Sequence, residues 1–141
     1  MRGVTAAHRL LAAGVNCSLS TNNVLNPFTP YGDGSLVRMA NLYANVCQVS
    51  RPQELAECFA MLTTRSAQLM RRAGYGIAVG HAADLTVFGC DDAPTAVAEL
   101  VPPLFGLKGG RLTFTRPRPR LRTPHANNDA DAITQLLADC T

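Results

Sequence analysis

Histidine and lysine are scarce in this sequence of 141 residues, and tryptophan is absent. The only lysine is Lys108, and the three histidines, His8, His81 and His125, lie far apart along the chain. A metal site needs three or more convergent ligands, and no two histidines stand at the spacing of a ligand pair. We therefore expect the histidines to be solvated and assign none of them to a metal site.

Long apolar runs and paired cysteines are also missing. No stretch approaches the ~20 apolar residues that a membrane span requires, and the N-terminus lacks a signal-peptide core with a cleavage site. We therefore expect a cytoplasmic chain without a membrane partner. The absence of a Cys-x-x-Cys pair favours buried, reduced thiols over disulfides. The five cysteines are Cys17, Cys47, Cys58, Cys90 and Cys140.

Positive charge is concentrated near the C-terminus. The net charge is +3, and five of the twelve arginines lie between Arg111 and Arg122. Closely spaced arginines can bind phosphates, so a nucleic-acid-binding tail is one interpretation. Base stacking needs aromatic side chains, and the RPRPRLR run has none. A solvated Arg/Pro-rich tail is therefore the preferred interpretation, and nucleic acid is not the expected partner.

The first 73 residues carry mostly helical patterns. Thr5 can cap a short helix that ends at Gly14, and residues 15–20 have the composition of a buried strand. After a loop rich in proline and glycine, Asp33 or Ser35 can cap a helix that runs to about residue 49. Ser50, with Gln53 three residues later, matches a capping box for the next helix. A further short helix is expected over residues 63–70.

Short strands are expected after Gly74. Residues 84–89 are predicted as a strand, and residues 94–101 as a short helix. Gly109 and Gly110 join two further strand patterns, and two glycines favour a tight hairpin because both accept positive φ. The expected division is therefore residues 1–73, residues 74–115, and a tail over residues 116–141 with a weak helix at its end.

Four segments together carry a family resemblance: the loop NNVLNPFTPYG, the helix TTRSAQLM, the turn and strand YGIAVGHAADLTVF, and the hairpin GLKGGRLTF. In this order they resemble the C-terminal third of cytosine-deaminase-like, metal-dependent enzymes of the amidohydrolase superfamily. The resemblance implies an α/β fold. Residues 1–73 would supply the last strand and helices of a (β/α)8 TIM-type barrel, and residues 74–115 strands of a small composite β-sandwich.

The resemblance also implies where a site would lie. The loop after the last barrel strand has Asn22 at the place where these enzymes carry a metal-binding aspartate, so Asn22 is the candidate catalytic residue and a weak metal ligand. Asn23, Asn26 and Phe28 are the candidate substrate-binding residues. A plain structural role competes with each, because Asn ends strands and stabilises turns and a Pro-Phe pair stiffens a loop. Asp33 is expected to be a helix cap.

The activity implied by the resemblance is deamination: hydrolysis of a C–N bond of a small nitrogen heterocycle by a metal-activated water, with zinc or iron as the metal. This chain has no His-x-His pair, and Asn22 has no titratable proton with which to act as a general base. We therefore expect a segment of such an enzyme that is inactive alone. The alternatives are a non-catalytic pseudoenzyme, paired with a full-length homologue or with itself, and an interaction module.

Overall fold

The computed structural model describes residues 3–117 and residue 119. Helices dominate the first part of this region and a three-stranded sheet the second. The helices are α1 (Ala7–Ala12), α2 (Leu36–Cys47), α3 (Pro52–Ala60), α4 (Thr64–Leu69) and α5 (Ala93–Ala98), and the strands are β1 (Leu85–Phe88), β2 (Pro103–Lys108) and β3 (Arg111–Thr115).

The core lies where α1, α2, α3 and α5 meet. Met61, Cys58 and Val97 are the largest side chains that are fully buried, and Ala40 and Tyr43 pack in the same cluster. Small residues on α2 let the neighbouring helices approach closely. Because Val97 belongs to α5, this core joins the helical part to the element between β1 and β2.

Two helix starts and two helix ends have identifiable causes. The Ser35 hydroxyl accepts a hydrogen bond from the Arg38 amide at the start of α2, and Asp92 accepts one from the Thr95 amide at the start of α5. Such caps satisfy amides that have no partner within the helix. α2 ends at Gln48 and α5 just before Leu100, both with positive φ.

The sheet is antiparallel, in the order β1-β2-β3. Its predicted hairpin is confirmed: Lys108 pairs with Arg111, and the intervening Gly109 and Gly110 have φ of 55° and 76°. The Asp84 carboxylate fixes this turn, because it accepts hydrogen bonds from the Gly109 amide and the Lys108 ammonium.

Several expectations about local structure are wrong. The Thr5 cap does not form, because α1 follows Ala6 and has no side-chain cap. Residues 15–20 are not a strand within the described chain. Two of their amides bond carbonyls outside the segment, Val15 to Leu10 at 2.9 Å and Leu19 to Met61 at 3.1 Å, and neither bond joins the segment to a strand. The Ser50 capping box does not form, since α3 starts after Arg51 without a side-chain cap. α5 ends at Ala98 rather than at residue 101.

Most of the predicted helices and the first strand are present in the structure. α1, α2, α3, α4 and β1 all lie where helices or a strand were predicted. The division at residue 74 stays a prediction. The expected terminal helix, most of the arginine run, His125 and Cys140 lie outside the described residues. Within the part of the chain that the structure describes, no helix is both long and apolar enough to cross a membrane.

Candidate functional site

The asparagine-rich loop after residues 15–20 is organised by the Asn26 side chain. Its carbonyl oxygen accepts hydrogen bonds from the Phe28 and Thr29 amides, both at 3.0 Å. Its amide nitrogen donates to the Asn23 side-chain oxygen at 2.8 Å. The backbones of Asn26 and Thr29 also pair with each other, at 3.1 Å in both directions. Asn26 therefore holds a tight turn that carries Pro27 and Phe28 at its tip.

A cavity of about 440 Å³ lies between this loop and the start of α2. Asn22 and Asn23 line one side, and Asp33 and Arg38 line the other. Asn22 is exposed, and no described residue forms a hydrogen bond with its side chain. Asn23 is half-buried, and its side-chain oxygen is occupied by Asn26. Asn22 therefore offers its whole amide to a ligand, whereas Asn23 offers chiefly its amide nitrogen.

The loop that leads into α2 brings both signs of charge to this cavity. Asp33 accepts a hydrogen bond from the Ser35 amide at 2.9 Å, which holds the pKa of Asp33 below its usual range. The positive charges of Arg38 and Arg116 act in the same direction. The Arg38 guanidinium lies against Gly32, since a Cβ built there would stand 3.3 Å from Nη1. Asp33 is thus an anion at neutral pH, beside a cation.

The structure brings together some of the predicted site residues. Asn22 and Asn23 line the cavity, whereas Asn26 and Phe28 are not among its described lining residues. Asn26 shapes the turn instead, and the Phe28 side chain is 72% exposed at the tip. The expectation that Asp33 caps a helix is wrong, because Ser35 caps α2 and Asp33 accepts a hydrogen bond from the Ser35 amide instead. Arg38 was not predicted as a residue of the site. The sequence could have indicated Arg38 as a site residue, because it lies in the first turn of α2 and the cap of this helix, Ser35, follows the asparagine-rich loop.

The described residues do not fit a metal ion. Nowhere within them do three or more His, Cys, Asp or Glu side chains converge. The Nδ1 atom of His8 is 2.8 Å from the Tyr43 hydroxyl, and that of His81 is 3.1 Å from the Gly76 carbonyl oxygen. Asn22 offers one neutral oxygen. This donor set is too small and too weak for a site of three or more ligands.

Comparison with known proteins establishes the family. The sequence profile of the amidohydrolase family matches residues 1–112. The chain belongs to the amidohydrolase family. This match, together with the deaminases and amidohydrolases among its relatives, confirms the resemblance to cytosine-deaminase-like amidohydrolases. Members of the amidohydrolase family are generally metal-dependent.

Two curated relatives of this amidohydrolase chain are known by activity. One is N-isopropylammelide isopropyl amidohydrolase of Pseudomonas sp. strain ADP, 28% identical over 105 residues, which are 74% of this chain and 26% of the relative. The other is pterin deaminase of Rhizobium rhizogenes strain K84, 36% identical over 88 residues, which are 62% of this chain and 20% of the relative.

The fold of this chain is similar to part of a solved deaminase structure. The 5-methylcytosine deaminase of Klebsiella pneumoniae, crystallised with 5-fluorocytosine, superposes with a TM-score of 0.79 at 25% identity. The superposition covers 87% of this chain and 30% of the deaminase chain. The amidohydrolase chain thus spans between 20% and 30% of the length of these three relatives, and it matches one part of a larger fold.

Proposed function

We propose that this chain is the C-terminal part of an enzyme that deaminates a small nitrogen heterocycle. Residues 1–73 would complete a (β/α)8 barrel and residues 74–115 a small composite β-sandwich. Family membership supports this assignment, as do three relatives that act on pterin, 5-methylcytosine and an ammelide. The observation that carries it is the cavity between the asparagine-rich loop and the start of α2, which Asn22 lines with an amide that has no hydrogen-bond partner among the described residues.

The proposed reaction is a hydrolysis. Water adds its oxygen to a ring carbon, the exocyclic C–N bond breaks, and ammonia or an amine leaves with a proton from the water. Asn22 lies at the reacting end of the cavity, and Asn23 contacts the substrate from the same side. Asn22 can offer two donors and an acceptor to the polar edge of a heterocycle. Asn23 offers the two donors of its amide nitrogen, because its oxygen already accepts a hydrogen bond from Asn26. Asn26 positions the loop, and Phe28, which is exposed at the tip of the turn and outside the cavity lining, contacts the substrate as it approaches.

The metal belongs to the larger fold rather than to this chain. In the full-length family we expect zinc or iron, which would lower the pKa of a bound water toward neutrality. The described residues lack a ligand set, and the Asn22 amide cannot take a proton from the water. We therefore propose that the chain is inactive alone. It is an enzyme part whose two amides contribute substrate contacts.

Ammonia release tests this function. The part of Rhizobium rhizogenes pterin deaminase that precedes the matched region is fused to the full chain, and the fusion is loaded with zinc or with iron. Pterin, cytosine and 5-methylcytosine are the substrates, and the full chain without the fusion partner is the control. We expect ammonia from the fusion with at least one substrate and none from the chain alone.

Two results would contradict the proposal. A fusion that folds, binds metal and releases no ammonia from any of the three substrates removes the assigned function. A full chain that deaminates a substrate unaided shows that it carries a complete site of its own, which the geometry around Asn22 does not provide.

A further inference from the structure

A second cavity, the sheet cavity, has a volume of about 730 Å³ and lies between the start of α2, the end of α3 and one face of the sheet. It adjoins the cavity of the asparagine-rich loop, because Asp33, Ser35 and Arg38 line both. Asn22 and Asn23 are not among its described lining residues. The proposed reaction therefore gives the sheet cavity no role.

One face of the sheet forms the floor of the sheet cavity. Thr86 of β1 pairs with Gly106 of β2, and Gly106 pairs with Phe114 of β3. Residues that pair directly across neighbouring strands lie on the same face of a sheet. Gly106 leaves room for the Phe114 ring, because a Cβ at this position would collide with that ring. Phe114 is thus held against the sheet while it stays 42% exposed to the cavity side.

Two further aromatic side chains line the walls of the sheet cavity, Phe59 and Tyr75. The Phe59 ring meets the Phe88 ring edge to face, with the ring centroids 6.0 Å apart, and this contact favours one ring orientation. Tyr75 is 48% exposed. Aromatic side chains on the floor and the walls provide a surface on which a flat ring can pack.

Two arginines bring positive charge to one end of the sheet cavity. Arg38 lies in the first turn of α2, and Arg116 follows β3, where its amide donates to the Leu104 carbonyl at 2.6 Å. After the hydrogen bond from the Ser35 amide, both positive charges lower the pKa of Asp33. Arg38 and Arg116 therefore both act at the end of the cavity where Asp33 lies.

The charges of this end do not cancel. Asp33 is the one acidic residue among the described lining residues, against the two arginines. Neither arginine forms an ion pair with a described residue. Guanidinium groups bind carboxylates and phosphates through paired N–H donors. A net positive end beside aromatic walls favours an aromatic anion over a neutral or cationic ring.

We propose that the sheet cavity binds a small aromatic molecule that carries one carboxylate or phosphate group. The anionic group lies between Arg38 and Arg116. The ring packs on Phe114, with Phe59 and Tyr75 at its sides. This binding site is separate from the asparagine-rich loop, and it does not depend on the deamination that we propose.

Fluorine NMR titrations of the full chain test the site. The probes are 4-fluorophenyl phosphate, 4-fluorobenzoate and the neutral 4-fluorobenzamide. We expect at least one of the two anions to bind saturably, one molecule per chain, with a dissociation constant of about 1 mM or lower. We expect the benzamide to bind at least tenfold more weakly than that anion. The anion that binds more tightly identifies the acidic group that the arginines prefer.

Matched variants test the two halves of the site. Arg116→Gln removes a cavity charge, whereas Arg111→Gln removes the same charge at the other end of β3, outside the described lining. Phe114→Ser removes the aromatic floor, whereas Phe28→Ser removes an exposed ring from the loop tip. We expect Arg116→Gln and Phe114→Ser to weaken anion binding about tenfold or more and the other two variants to bind like the parent chain.

Far-UV circular dichroism checks that each variant keeps its helices. Arg116 is an exposed side chain, so the arginine pair decides the question even if Phe114→Ser unfolds the sheet. Asn22→Ala tests the location, and we expect it to leave anion binding unchanged.

Three results would overturn the inference. The first is that neither anion binds saturably, or that the benzamide binds as tightly as the anions. The second is that Arg116→Gln and Arg111→Gln bind the anion equally. The third is that Asn22→Ala weakens binding as much as Arg116→Gln, because the probe would then occupy the cavity of the asparagine-rich loop. Ammonia release by the fusion enzyme has no bearing on these outcomes, so the two proposals fail separately.

Discussion

Replacing Asn26 by alanine removes three side-chain hydrogen bonds within the site loop. Two of them satisfy the Phe28 and Thr29 amides, and the third reaches Asn23. Each bond contributes about 0.5–1.5 kcal/mol net, and Asn26 is only half-buried, so water replaces part of the loss. We expect the free energy of local loop opening to fall by about 1–3 kcal/mol.

The Phe28 amide is the reporter for this change. Its hydrogen bond goes only to the Asn26 side chain, whereas the Thr29 amide also bonds the Asn26 backbone carbonyl at 3.1 Å. A loss of about 1–3 kcal/mol corresponds to exchange about 5- to 150-fold faster. Hydrogen exchange followed by NMR should show this acceleration at Phe28 and a smaller one at Thr29.

Asn26→Asp is the matched control, because a carboxylate still accepts from both amides and loses only the donor to Asn23. We expect the Phe28 amide to exchange no faster in this variant than in the parent chain. Unchanged Phe28 exchange in Asn26→Ala would refute the reasoning, since other contacts would then hold the turn.

Three further predictions concern the fold. The Lys108 ammonium and, after it, the Gly109 amide lower the pKa of Asp84. The contribution of the Asp84 carboxylate to folding stability is therefore full above pH 3.8 and is lost as the pH falls through the lowered pKa. The free energy of unfolding should depend less on pH below about pH 4 in Asp84→Asn, and an identical pH dependence would contradict this. Burial raises the pKa of Cys58 to about 11, so iodoacetamide at pH 8 should modify this thiol only after denaturation. Peptide mapping that finds Cys58 modified in the folded protein would refute its burial. Tyr43→Phe removes the hydroxyl that accepts a hydrogen bond from the His8 amide. The free energy of unfolding in urea should fall by about 1–3 kcal/mol. An unchanged urea midpoint of unfolding would show that this contact contributes nothing.

Local signals allowed much of this fold to be predicted. The Gly109-Gly110 link predicted the hairpin because both positions require positive φ. Ser35 predicted the start of α2 because its hydroxyl caps the helix. Where two local signals competed, the prediction failed: Ser50 matched a capping box, but the chain begins α3 one residue later, with Pro52 in its first turn.

Features that depend on distant partners could not be predicted in the same way. Residues 15–20 have the composition of a strand, but strand formation depends on a neighbour that local sequence does not specify. The loop was located through Asn22 and Asn23, yet no pattern in the sequence indicated that Asn26 donates a hydrogen bond to the Asn23 oxygen. Arg38 was missed because its contact with Gly32 exists only once the loop folds back on α2.

Replacing either amide by a carboxylate shows whether Asn22 lies at the reacting end of the cavity. The rate of ammonia release from pterin is measured for the fusion enzyme carrying Asn22→Asp or Asn23→Asp. A carboxylate at position 22 can take a proton that the amide cannot, and general base catalysis contributes about 10²- to 10⁴-fold. We expect the rate of ammonia release to rise by about 10²- to 10⁴-fold in Asn22→Asp and not to rise in Asn23→Asp. Equal rates for the parent fusion and both variants would contradict it.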